Sequence, residues 1–193
     1  TAIECSKLGA HIIITARNEE RLNETLRNME GNEHIIIPAD LTHKVDIENL
    51  VKLIDCLDGV VLCAGINDKS LIKYISDEHL NSMLSTNFIG PVSLIQQIVK
   101  KKKLNKGASI VFITSVSAVY PSISNAMYAS TKAAITQFSK VLALELMPQK
   151  IRVNCVQPSF VETDMLKKYS LEDSIDKIRK NSPFGRFIYP EEV

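Results

Sequence analysis

The chain alternates between short apolar runs and longer segments in which apolar residues recur every three or four positions. Runs rich in β-branched residues predict strands, and they lie at 11–15, 34–38, 59–63, 109–114 and 151–156. The amphipathic segments between them predict helices at 18–30, 43–56, 76–102 and 126–147. Alternating strands and helices indicate a parallel sheet with helices on both faces. We therefore expect one α/β domain over residues 1–193, with a doubly wound, Rossmann-like sheet.

The two ends of the sequence lack parts that such a sheet contains. A doubly wound dinucleotide-binding fold begins with a central strand and a glycine-rich phosphate loop, whereas this sequence begins with a short amphipathic helix that Gly9 ends. At the other end, residues 190–193 read as the beginning of a helix. We expect the first strand, the glycine-rich loop and the C-terminal end to lie outside these residues.

Charge and composition narrow the class of partner. The sequence has 23 Lys and Arg against 22 Asp and Glu, a formal charge of +1, so electrostatics favour neither nucleic acid nor an anionic membrane. No apolar run is long enough to span a bilayer. The histidines are far apart, which predicts no metal site. Scattered cysteines are typical of a reducing, cytoplasmic protein, and here they are Cys5, Cys56, Cys63 and Cys155.

The segment YASTK places Tyr128 and Lys132 one helical turn apart, on the same face of a predicted helix. A phenol with a pKa of about 10 is a poor acid at neutral pH. An ammonium group nearby stabilises the phenolate and lowers that pKa, so that the phenol can exchange a proton near pH 7. An exposed pair of residues four positions apart on an ordinary helix would have the same spacing, so the pair alone does not establish catalysis.

Ser115 and Asn87 give that pair a chemical context. Ser115 follows the strand 109–114, and ligands of parallel sheets bind beyond the carboxyl ends of strands. Its hydroxyl can hold a substrate oxygen there, although a turn would also favour Ser. Asn87 interrupts the apolar stripe of helix 76–102. Pro91 has no amide hydrogen for the Asn87 carbonyl, so that carbonyl and the Asn87 amide together can hold a water molecule; a buried Asn bonded to nearby backbone is the alternative.

These residues together resemble the short-chain dehydrogenase/reductase family, and most closely its 3-oxoacyl-acyl-carrier-protein reductases. The family signature is an Asn on one helix, a Ser, and Tyr-x-x-x-Lys thirteen residues after that Ser, which match Asn87, Ser115, Tyr128 and Lys132. The resemblance implies hydride transfer between a nicotinamide cofactor and a carbonyl or secondary alcohol. It also implies that Tyr128 exchanges the proton, Ser115 binds the substrate oxygen, Lys132 binds the nicotinamide ribose and Asn87 holds a relay water.

The same resemblance assigns the cofactor contacts. Arg17 stands where the family can pair a 2′-phosphate, which favours NADP(H) over NAD(H). A loop arginine in solvent is the alternative. The remaining implied contacts are to adenine, to the adenosine ribose and to the carboxamide, and they come from Asp40, Leu41, Ala64, Gly65, Val161 and Thr163. Two features depart from the family pattern: Leu62 and Cys63 replace its paired asparagines, and Ser159 replaces a glycine.

Several expectations stay open in the sequence. A protein of the same fold could bind a dinucleotide or a partner protein without catalysis, and a nucleotide-sugar epimerase shares the Tyr-x-x-x-Lys pair but needs a larger C-terminal domain.

The apolar faces of helices 76–102 and 126–147 and the family resemblance predict a homodimer or homotetramer. The polar segment 158–185 is expected to cover the active site. Four apolar residues either line a substrate pocket or belong to the core, and these two interpretations stay open: Val116, Ala118, Tyr120 and Met127.

Overall fold

A computed structural model of the protein describes residues 1–163, 165–166, 179–180 and 182–193. Its helices are α1 Ala2–Lys7, α2 Glu19–Arg27, α3 Lys44–Leu53, α4 Asp77–Leu84, α5 Gly90–Lys100 and α6 Ala126–Leu146. Its strands are β1 Ile13–Ile14, β2 Ile35–Ile36, β3 Leu57–Leu62, β4 Leu104–Ile113 and β5 Arg152–Val156. Short 3-10 turns lie at Ile72–Tyr74, Val116–Ala118, Met147–Gln149 and Pro190–Glu192.

Every strand pairing in the described residues is parallel. β1 pairs with β2, and β3, β4 and β5 form a second sheet in that order. Parallel neighbours require crossover connections, which helices supply here. The carboxyl ends of β3 and β4 therefore lie side by side, and the loops that follow them meet at one edge of the sheet.

The predicted helices are present, but the one expected over 76–102 is divided into three parts. Between α4 and α5 the residues Ser85–Ile89 form a π-helical turn. Pro91 removes a backbone donor from this region, and π turns inside helices are frequent at functional sites. The amide of Gly90 compensates by bonding the Ser85 carbonyl five residues back. The sequence shows that Pro91 leaves the Asn87 carbonyl without its helical donor, but it does not predict a π turn.

Helices α3, α5 and α6 pack on β3–β5 to form the main core. Phe112 of β4 and Phe138 of α6 meet edge to face, with ring centroids 6.1 Å apart. On one face of β4, Ala108, Ile110 and Phe112 are buried, whereas Ser109, Val111 and Ile113 on the other face are half-buried. The expectation that the strands are covered on both faces is therefore met only in part for β4. It is wrong for β3 in the described residues, because Val61 is 42% exposed. No helix in the described ranges is long and apolar enough to span a membrane.

Candidate active site

Lys132 is a charged residue that is almost fully buried, with 5% of its surface exposed. Its ammonium donates a hydrogen bond of 2.8 Å to the carbonyl of Ile113, the last residue of β4. Burial lowers the pKa of Lys132 to about 8, while the nearby thiols of Cys63 and Cys155 act in the opposite direction. A lysine held in this way at the carboxyl end of a strand is poised between its charged and neutral forms near neutral pH.

Tyr128 and Lys132 share one face of α6, as the spacing predicted. The Lys132 ammonium lies 5.7 Å from the centroid of the Tyr128 ring. The expected lowering of the tyrosine pKa is wrong for this structure, because burial raises the pKa of Tyr128. A hydrogen bond with the Ser115 side chain partly offsets that rise. In the described residues the ammonium is bonded to the Ile113 carbonyl instead.

Asn87 is 1% exposed and holds a loop to the π turn. Its Oδ1 accepts a hydrogen bond of 2.7 Å from the amide of Ile66, and its Nδ2 donates one of 2.8 Å to the Ile66 carbonyl. The same Nδ2 donates to Thr131 Oγ1 at 3.1 Å, and that hydroxyl donates to the Tyr128 carbonyl at 2.9 Å. One amide thus connects the loop after β3 to the helix that carries Tyr128.

These bonds correct one expectation about Asn87. Its side-chain amide is fully used by Ile66 and Thr131, so it does not hold a relay water together with the carbonyl. The carbonyl lacks its usual helical donor because Pro91 has no amide hydrogen. A cavity of about 10 Å³, room for about one water molecule, is lined in part by Asn87. Its lining residues are Leu62, Ala64, Asn87, Pro91, Phe112, Ile113, Lys132 and Ile135.

Ser115 lies directly beyond β4, where the sequence placed it. Its backbone is extended, and its hydroxyl accepts a hydrogen bond of 3.1 Å from the amide of Ser117. Through its bond with Tyr128 it joins the catalytic candidates, so the structure brings Asn87, Ser115, Tyr128 and Lys132 into one connected cluster.

Small residues after β3 leave room next to this cluster. A Cβ added to Gly65 would lie 3.3 Å from Lys132 Nζ and 3.5 Å from Asn87 Oδ1. Ala64 beside it is exposed. A glycine cradle beside a buried ammonium fits the close approach of a nucleotide, as the sequence predicted for these two positions.

A second group of predicted cofactor contacts lies at the carboxyl ends of β1 and β2. Arg17 Nη1 is 3.9 Å from Asp40 Oδ2, and the Arg17 side chain is 64% exposed. Burial raises the pKa of Asp40, but hydrogen bonds from the amide and hydroxyl of Thr42 and the Arg17 charge outweigh it, so the pKa is lowered. The backbone of Leu41 packs on Gly90, where an added Cβ would lie 2.8 Å from the Leu41 oxygen. Leu41 therefore connects this group to the π turn.

The predicted cofactor contacts after β5 are less closely connected to the catalytic candidates. Pro158 accepts a hydrogen bond of 3.1 Å from the amide of Val116, which ties this segment to the Ser115 turn. Val161 pairs with Ile188, and Thr163 Oγ1 donates to the Val161 carbonyl at 3.4 Å. Neither forms a hydrogen bond with the catalytic candidates in the described ranges. The expected cover over 158–185 falls partly outside the described residues, which omit 164, 167–178 and 181.

The apolar residues that could have lined a pocket or a core have different surroundings. Tyr120 is 76% exposed and is not core. Met127 lines a small cavity with Met83 and His79. Val116 and Ala118 are half-buried in the turn after Ser115.

Comparison with known protein families shows to which family the chain belongs. Residues 1–174 match the model of the short chain dehydrogenase family. The chain belongs to the short-chain dehydrogenase/reductase family. It is therefore an oxidoreductase that acts on CH–OH or C=O groups with a nicotinamide cofactor, and the doubly wound α/β fold is confirmed.

Curated short-chain dehydrogenase/reductase relatives match almost all of the chain. It is 31% identical over 192 residues to a 3-oxoacyl-[acyl-carrier-protein] reductase of Rickettsia bellii, covering 100% of this chain and 79% of the relative. It is 30% identical over 189 residues to carbonyl reductase family member 4 of Danio rerio, covering 96% and 78%. The resemblance stated from the sequence is confirmed.

Solved structures of related proteins have the same fold. A short-chain dehydrogenase/reductase from Brucella melitensis superposes with a TM-score of 0.92 at 28% identity, covering 100% of this chain and 80% of that one. An actinorhodin polyketide ketoreductase solved with NADPH gives a TM-score of 0.90 at 28% identity, covering 99% and 80%.

Sequence reasoning missed three contributors to the site. Thr131 links Asn87 to the Tyr128 carbonyl, Ser117 bonds Ser115, and Asn125 bonds Ser117. Thr131 stands beside Lys132 in YASTK, which is a signal that could have been used. Asn125 precedes a helix and reads as an ordinary cap, so the sequence carries no signal for its other role.

Proposed function

We propose that the protein is an NADP(H)-dependent carbonyl reductase whose substrates include 3-oxoacyl thioesters. The observation that carries this proposal is the connected cluster of Asn87, Ser115, Tyr128 and Lys132 beside the Gly65 cradle. The names of the bacterial and vertebrate relatives support the thioester class. The cluster also argues against a protein that only binds a dinucleotide, because such a protein would not need a half-buried phenol bonded to a serine.

In this proposal each residue acts through a bond that its position allows. The bound nicotinamide supplies the hydride. Ser115 donates a hydrogen bond to the substrate oxygen and stabilises the charge that develops there. Tyr128 donates the proton to that oxygen, and its raised pKa keeps the phenol protonated at neutral pH. Lys132 binds the ribose hydroxyls, and Asn87 lines the small cavity where a relay water fits.

The preference for NADP(H) is carried by Arg17. Its guanidinium is exposed at the end of β1 and only loosely paired with Asp40, so it is free to bind a 2′-phosphate. The actinorhodin ketoreductase, solved with NADPH, supports this choice.

A homodimer or homotetramer remains part of the proposal. Its support is a row of exposed apolar side chains on and after α6, formed by Val141, Leu144 and Met147. Light scattering on the purified protein measures the mass directly. A monomer at micromolar concentration would contradict this part.

The test of the proposed reaction is an assay with NADPH and a series of 3-oxoacyl thioesters, followed by loss of the reduced nicotinamide absorbance. We expect turnover with NADPH, slower turnover with NADH, and none with Tyr128→Phe. No turnover across the thioesters and a broad panel of simple ketones would contradict the proposal and favour a binding protein.

A further inference from the structure

The Ser115 hydroxyl has a fixed direction that its own turn imposes. A serine hydroxyl has one hydrogen to donate and two lone pairs that accept. The amide of Ser117 occupies one lone pair of Ser115 Oγ at 3.1 Å. Because that contact uses an acceptor site, the Ser115 proton remains available to be donated, to the Tyr128 side chain in the free protein and to the substrate oxygen in the proposed reaction.

The turn that imposes this direction has an anchor on the catalytic helix. Ser117 Oγ accepts a hydrogen bond of 3.3 Å from Asn125 Nδ2. Asn125 is the residue immediately before α6 and three positions before Tyr128. This contact therefore joins the two pieces of chain that must stay in register for Ser115 to face Tyr128.

Asn125 does not cap α6 with its side chain, although it occupies the capping position. An Asn before a helix normally accepts a hydrogen bond from an amide of the first turn, but the Asn125 side chain makes no such bond. It is 5% exposed, and its Oδ1 is a buried atom without a hydrogen-bond partner in the described residues. A buried acceptor of this kind destabilises the folded protein. Stability alone therefore gives no reason for an amide here.

We infer that Asn125 and Ser117 are positioning residues that hold the Ser115 hydroxyl against Tyr128. The inference rests on the proposed function, because it matters only if Ser115 and Tyr128 react. Neither residue touches the reacting atoms. Their effect passes through the turn Val116–Ala118 and the Ser115 hydroxyl.

The inference has a spectroscopic consequence. The bond with Ser115 opposes the rise that burial causes in the pKa of Tyr128, so releasing Ser115 lets that pKa rise further. A phenolate must form when an alcohol is oxidised, so the rising limb of the oxidation pH profile then moves to higher pH. A change that only destabilised the fold would lower the active fraction without moving that limb.

The experiment titrates Tyr128 in Asn125→Ala and Ser117→Ala by the ultraviolet absorbance of tyrosinate, with Tyr128→Phe subtracted to isolate its signal. Both variants should raise the pKa of Tyr128, and the double variant should add little more, since both changes remove one contact. Turnover should fall about ten-fold, a small part of the roughly 10²- to 10⁴-fold that a general acid contributes, with NADPH affinity unchanged.

Two further variants act as controls. Ser117→Thr keeps a hydroxyl and should restore the titration and turnover. Ser122→Ala changes an exposed serine of the same loop that contacts Asn125 only through its carbonyl, and it should change nothing.

The outcomes separate this inference from the proposed function. An unchanged Tyr128 titration in Ser117→Ala, or a shift no larger than that of Ser122→Ala, would overturn the inference even in an active enzyme. Should Asn125→Ala fail to fold, Ser117→Ala tests the same contact from the half-buried side. The titration needs no substrate, so a shift in a protein without turnover would support the positioning and count against the reaction.

Discussion

The two groups of candidate residues differ in how they are held. In the cluster around Tyr128, Asn87 and Lys132 are buried, and the side chain of each has a specific protein partner. At the ends of β1 and β2, Arg17 is mostly exposed and is paired with Asp40 at 3.9 Å. Burial and short hydrogen bonds fix these two side chains before any ligand arrives, whereas the second group keeps a charge available.

The difference matches the two tasks that the residues perform. Proton transfer requires atoms held to within fractions of an ångström, which a buried network provides. Recognition of a phosphate requires an accessible cation that can form charge-assisted hydrogen bonds. Changes in the buried cluster should therefore affect stability and chemistry together, while changes at Arg17 should affect only the choice of cofactor.

The largest expected effect comes from Asn87→Ala. It leaves the amide and carbonyl of Ile66 without their partners, which should lower the free energy of unfolding by about 3 kcal/mol. Urea denaturation measures this. Asn81→Ala, the same change at an exposed position of α4, should lower it by less than about 0.5 kcal/mol. Equal effects at the two positions would show that Ile66 does not depend on Asn87.

Lys132 should change the free energy of unfolding by a comparable amount, and this change should depend on pH. Its pKa is about 8 in the folded protein against 10.5 as the ordinary value, so the unfolded chain binds more protons between these limits. Its contribution to stability therefore increases as pH rises from 8 to 10.5, by about 3 kcal/mol in total. Unfolding free energies of the wild type and Lys132→Met, compared at several pH values, measure this. Parallel pH profiles would contradict a buried, shifted lysine.

Gly90→Ala should have a smaller effect on stability. The new Cβ would lie 2.8 Å from the Leu41 oxygen and 3.1 Å from the Ser85 oxygen, both backbone atoms that cannot move alone. We expect a loss of about 2 kcal/mol, measured by thermal unfolding. Gly59→Ala is the matched control, because its Cβ would meet the nearest atom at an ordinary 3.6 Å. A neutral Gly90→Ala would mean that Leu41 and the π turn are not in close contact.

The smallest effect is expected at the exposed group. Arg17→Ala should weaken NADPH binding about ten-fold, roughly 1.4 kcal/mol, and leave NADH binding unchanged, because only NADPH carries the 2′-phosphate. Fluorescence titration of both cofactors measures it. Arg27→Ala, at an exposed position in the last turn of α2, should change neither affinity. An equal loss for both cofactors at Arg17 would assign it a structural role.

The sequence and the structure agree best where a pattern is local. Strand and helix positions follow from periodicity, and the spacing of Tyr128 and Lys132 follows from helix geometry. Contacts between distant segments could not be predicted: Asn87 with Ile66, Gly90 with Leu41, and Asn125 with Ser117 depend on how the loops pack. The direction of the Tyr128 pKa shift was wrong for the same reason, because it depends on how deeply the phenol is buried.

The most direct test of the account is transfer of deuterium from NADPH labelled at the transferring position of its nicotinamide. The wild type should give an alcohol product one mass unit heavier from a 3-oxoacyl thioester. Tyr128→Phe should give almost none while still binding NADPH with normal affinity. Labelled product formed by Tyr128→Phe at a rate near that of the wild type would contradict the central claim that the Tyr128 phenol delivers the proton.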